Sequence, residues 1–127
     1  MKKFIMNGYL WKVENVPLNS PLLVDRTGAN TVATTDPTTL TVYLDSSLYG
    51  SFKTKVVLHE LSHAVMFSYG YISMIHSMCY TQYWIPMEEF ICNLIANNAK
   101  EIFDRAYEIV GDDAIHLVPY YMDRMIS

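Results

Sequence analysis

The 127-residue sequence predicts an α+β fold in a single domain. It should hold a small, mainly antiparallel sheet of three or four strands, then a helix that carries a polar site, then one or two further helices. Three observations predict this. Residues up to Leu44 alternate apolar and polar side chains between turn signals, which is the period of half-buried strands. Beyond Asp45 the apolar residues recur with helical spacing. Residues are 51% apolar and only 17% charged, enough for a core without disulfide staples.

The first hairpin follows from Lys3-Phe4-Ile5-Met6 leading into Asn7-Gly8, the dipeptide suited to a type I′ turn. From Tyr9 to Val16 the alternation sets Tyr9, Trp11 and Val13 against Leu10, Lys12 and Glu14. Pro17 and Pro21 bracket an irregular connection, Leu22-Leu23-Val24 is a short run that fits a strand, and Gly28-Ala29-Asn30 signals a turn. A second hairpin pairs Thr31–Thr34 with Thr39–Leu44 around Thr35-Asp36-Pro37-Thr38.

A helix is expected from about Ser47 to Tyr69, with Asp45-Ser46-Ser47 as cap residues, Gly50 weakening its first turn and Gly70 ending it. Tyr71 to Ile85 shows no clean period and reads as a connection packed on the core or a wall over a cleft. Pro86 opens another helix, with Glu88 and Glu89 in its first turn and Phe90, Ile91, Leu94, Ile95, Ile102 and Phe103 as its buried stripe, running to about Val110. Asp112-Asp113 caps a last apolar segment, Ala114 to Ile126, interrupted by Pro119.

Inside the first long helix lies His59-Glu60-Leu61-Ser62-His63, an H-E-x-x-H pattern. Histidines four apart stack on one helix face, so both imidazoles reach a single zinc ion. Val56, Val57, Leu58, Leu61, Ala64 and Val65 surround them, as a helix crossing a core requires. Glu60 falls beside the metal's open position, where a carboxylate acts as general base on water. A catalytic zinc keeps three protein ligands, and the third is open among His76, His116, Glu88, Glu89 and a cysteine.

The segment Glu89-Phe90-Ile91-Cys92-Asn93-Leu94-Ile95-Ala96, following H-E-x-x-H on the next helix, resembles the second motif of gluzincin metallopeptidases. It is most similar to the small ImmA/IrrE type found in phages and mobile elements. The resemblance implies a zincin-like fold and one zinc per chain, with His59, His63 and Glu89 as metal ligands. It also implies Glu60 as catalytic base and Asn93 as a hydrogen-bond partner of a ligand histidine. Glu88 fits less well, because Cys92 stands four residues after it and bonds an imidazole poorly. The implied activity is a zinc-dependent endopeptidase acting on a protein or peptide, such as a repressor encoded beside it. Its substrate is expected to lie along the strand Thr39–Leu44. An oxyanion donor is sought among Tyr107, His116, Tyr120 and Tyr121. The competing reading is a non-catalytic binding module that docks onto a host or phage protein.

The net charge of -4 and the lack of a basic run argue against nucleic acid. Three apolar residues, Phe4 to Met6, are too few for a signal peptide, and no stretch has the ~18 apolar residues of a membrane span. Cys79 and Cys92 read as small buried hydrophobes in a reducing cytoplasm.

Overall fold

The computed structural model describes residues 2–116. They fall into two compact units, one running to Asn97 and one from Asn98 onward. Among the described residues the fold is α+β, with a four-stranded mixed sheet and three α-helices.

Strands β1 (Lys2–Met6) and β2 (Tyr9–Val16) form the expected hairpin. Asn7 and Gly8 take φ values of 48° and 83°, the left-handed pair that a type I′ turn demands. β3 (Ala33–Asp36) and β4 (Thr41–Asp45) form the second, with the turn displaced to Pro37–Leu40. The strand order β1-β2-β4-β3 sets β4 parallel to β2 and between β2 and β3. Two of the three pairings are therefore antiparallel. The expected strand at Leu22–Val24 is instead a 3-10 turn, Pro21–Leu23, followed by an isolated bridge from Val24 to Asn30. Ser20 caps that turn, and its proline suits helical φ better than a ladder.

All five residues of β4 are buried. One face holds Val42 and Leu44 with Trp11, Ala33 and Ala64, and the other presses Tyr43 on Val16 and Leu23. The fully buried Trp11 donates its Nε1–H to Ser68 Oγ at 2.9 Å, and Asn7 Nδ2 donates to the Ser68 carbonyl at 2.8 Å. The hairpin turn is thereby fastened to the end of the first helix.

That helix, α1, spans Gly50–Ser68, three residues shorter at its start than expected. Asp45 does not cap it. Its carboxylate accepts from the Ser47 N–H at 2.9 Å and from the Ser47 hydroxyl, closing a separate turn. The cap is Tyr49 with no side-chain bond, and Gly50 enters the helix at φ 66°, a value that a side chain would strain. Glu60 and Ala64 are buried along one edge of α1, and Ser62 and Met66 along another, so the helix is covered on two sides.

The stretch read as irregular is α2 (Tyr71–Met78) and a 3-10 turn, Thr81–Tyr83. With eight residues and only Ile75 buried, α2 has too little pattern to announce itself. α3 (Trp84–Val110) ends where expected but starts two residues before Pro86, so Glu88 and Glu89 lie in its second turn. Most of its stripe is exposed, with only Ile91 and Ile95 partly buried. Phe90 is 61% exposed, Leu94 50%, Ile102 64% and Phe103 46%, while the buried residues are Glu88 and Cys92. The helix turns its polar edge inward, toward α1. A third cluster joins Cys92 to Met66 and Ile75. The final described element is a 3-10 turn, Gly111–Ile115. The rest of the expected apolar segment, with Pro119, Tyr120 and Tyr121, lies outside the described residues. No helix among the described residues is long and apolar enough to cross a membrane.

Candidate metal centre

α1 and the second turn of α3 bring four side chains to the floor of a cleft of ≈ 680 Å³, walled on one side by β3. His59 and His63, one turn apart, present their Nε2 atoms 3.2 Å from each other. Glu89 sets one carboxylate oxygen 3.1 Å from His59 Nε2 and the other 3.3 Å from His63 Nε2. The edge of a tetrahedron with zinc–nitrogen bonds of 2.0–2.1 Å is about 3.3 Å, so the two Nε2 atoms stand at the spacing of ligands of one ion, and Glu89 spans them with one oxygen toward each.

Proton placement leads the same way. If each Nε2 carried a proton for Glu89, two N–H groups would face each other across 3.2 Å. Glu88 removes this conflict at His63, where its carboxylate lies 3.0 Å from Nδ1. A proton held on Nδ1 leaves a lone pair on Nε2, the arrangement a metal ligand needs. The donor set therefore fits zinc, with two imidazoles, one carboxylate and room for a fourth ligand.

Arg26 is the residue sequence reasoning missed. From the turn after Val24 it forms an ion pair with Glu88 and reaches Glu89 at 3.5 Å. Burial alone would raise the Glu88 carboxyl, but its bonds to His63 and Arg26 hold it below the usual range. Glu89 is held well below that range by hydrogen bonds to His59 and His63. Burial would lower His63, yet hydrogen bonding to Cys92, Glu88 and Glu89 pushes it up to about 12. Folding thus favours protonated His63, and a cation at Nε2 would have to compete with a proton there while Glu88 keeps the one on Nδ1.

Glu60 lies just behind the three converging groups. Its Oε2 is 3.9 Å from His59 Nε2, and Thr35 on β3 donates its hydroxyl to Oε1 at 2.9 Å. Burial raises the Glu60 carboxyl, opposed by the charge of His63 and the Thr35 bond. A carboxylate so placed is a stronger base than an exposed one.

Asn93 lines the same cleft, but the hydrogen bond expected of it at a ligand histidine is made by Glu88. His76 stacks on Trp84, with ring centroids 3.7 Å apart, and is absent from the cleft lining. Tyr107 and His116 belong to the second unit, where the Tyr107 hydroxyl meets Asp112 at 3.2 Å. Among the described residues a second grouping of possible ligands adds Cys92 to His59 and His63, with ligand atoms within 4.8 Å of one another. No family model, curated protein or solved structure matches the chain.

Proposed function

We propose that this chain is a zinc-dependent endopeptidase of the gluzincin type, with a minimal zincin-like fold. The observation that carries the reading is the convergence of His59, His63 and Glu89 at 3.1–3.3 Å, with Glu60 standing next to them and outside the ligand set. Zinc held by those three residues would supply Lewis acidity toward a water and the scissile carbonyl.

The chain's own groups do the rest. Glu60 takes the proton of the attacking water and passes it to the leaving amine. Thr35 fixes one Glu60 oxygen and leaves the other turned to the ligands. Glu88 holds the His63 tautomer, and Arg26 offsets the charge of the two neighbouring glutamates.

β4 cannot receive the substrate, since both its edges are paired. β3 is the free edge beside the cleft. The Val32 carbonyl accepts from Asp45 N–H, so alternation turns Thr34 and Asp36 toward β4 and the main chain of Ala33 and Thr35 outward. An extended peptide adding there would pass directly over Glu60. Resemblance to the ImmA/IrrE type suggests a regulatory protein such as a repressor as the target.

The test is zinc per chain for wild type, Glu60→Gln, Glu88→Ala and Glu89→Ala. One zinc in wild type and Glu60→Gln, with loss in Glu89→Ala, supports the reading. Wild type that cannot be loaded overturns it. A second reading, a binding module without catalysis, is favoured by one feature. Met74, Met78, Phe90 and Leu94 are each at least half exposed along α2 and α3.

A further inference from the structure

We propose that Cys92 is the fourth ligand of this centre, so that the resting site is closed by protein and opens only when the thiolate leaves. This rests on the metal centre proposed above and concerns its regulation.

Cys92 sits four residues after Glu88 and three after Glu89, on the same edge of α3. It is fully buried, and its sulfur lies within 4.8 Å of a ring nitrogen of both His59 and His63. A tetrahedral edge between imidazole nitrogen and thiolate sulfur on zinc is about 3.6 Å. The sulfur is thus within about 1 Å of ligating distance, a movement that a rotation of its side chain or a slight shift of α3 provides. Cys79 has no such place. It ends α2, where its thiol donates to the Ile75 carbonyl at 3.3 Å.

The chemistry favours the step. Thiolate is a soft ligand that zinc binds in preference to water. Ligation forms the metal–sulfur bond, breaks the S–H bond and releases one proton to solvent. Four protein ligands leave no position for water, as in structural zinc sites, so Glu60 has nothing to deprotonate in that state. Withdrawal of Cys92 breaks the metal–sulfur bond, takes one proton back from solvent onto the sulfur and restores the three-ligand site.

Cobalt(II) separates the possibilities, because its visible bands report coordination and a near-ultraviolet band reports thiolate ligation. The purified full chain is titrated with cobalt as wild type, Cys92→Ala and Cys79→Ala. Visible bands with a thiolate band in wild type and Cys79→Ala, and visible bands alone in Cys92→Ala, are expected. Zinc affinity of Cys92→Ala should fall more than about tenfold. If Cys92→Ala does not fold, wild type and Cys79→Ala still decide the matter. Strong visible bands without a thiolate band in wild type overturn the proposal and leave the open peptidase site standing. A thiolate band lost in Cys79→Ala overturns it as well. No cobalt binding at all removes the metal centre itself, and this proposal with it.

Discussion

The two sides of α3 invert the ordinary division of a protein surface. Its inner edge buries Glu88 and Cys92 and aims Glu89 at two histidines. Its outer face leaves Phe90 and Leu94 at least half exposed. Carboxylates are usually outside and large apolar groups inside. Burying Glu88 costs desolvation, which only its partners Arg26 and His63 offset. The inner edge therefore gathers charge that the fold must compensate, and the outer face contributes little to holding the unit together.

Four experiments break or sharpen that contrast. The largest effect is expected for Glu60→Gln, which keeps the shape of the side chain and removes the base. Cleavage of any peptide the wild type cuts should fall about 10²–10⁴-fold with zinc content unchanged. Equal loss of zinc would make Glu60 a ligand instead.

Zinc should come next. At about a thousandfold excess over Kd it should stabilise the chain by about 4 kcal/mol, read as a thermal shift that Glu89→Ala abolishes. pH sharpens the result. His63 is raised on folding, so in metal-free protein its contribution is complete below its ordinary 6.5 and is lost as pH rises toward about 12. Glu88 and Glu89 are lowered, so theirs is present above the ordinary 4.5 and lost as pH falls below it. Metal-free stability should peak between these ordinary values. Zinc loading should flatten the alkaline decline, because the ion takes the place of one His63 proton. Urea melts across pH check this.

Glu88→Ala should cost about 2 kcal/mol in the metal-free chain. It leaves His63 without its Nδ1 partner, and the half-exposed Arg26 limits the loss through solvent screening. The smallest effect belongs to the outer face. Phe90→Gln and Leu94→Gln should each stay within about 0.5 kcal/mol of wild type by the same melts. A loss of several kcal/mol would mean that this face is covered in solution.

Legibility divides along a similar line. The hairpin turn at Asn7-Gly8, the helix around His59 and its end near Gly70 were readable, because turn chemistry and short-range spacing encode them. The pairing of β2 with β4 was not, since a parallel crossover has no local signature. Arg26 escaped for the same reason, because its ion pair with Glu88 spans 62 residues of chain. The acidic pair is visible at Glu88-Glu89 and resemblance singles out Glu89, but only the packing of α3 on α1 reveals Glu88, in place of Asn93, as the partner of His63 Nδ1. The apolar stripe of α3 is apolar as expected, yet only Ile91 and Ile95 in it are even partly buried. Periodicity says which residues share a face and nothing about what covers it.

The hydrogen bond from Thr35 to Glu60 ties the timing of folding to the birth of the site. His59 and His63 are neighbours as soon as one helical turn forms, which takes well under a millisecond. Glu60 finds its holder only when β3 packs on α1, a contact that closes 25 residues of chain. A lone helix can thus gather the two imidazoles while the Glu60 carboxylate still lacks its Thr35 partner.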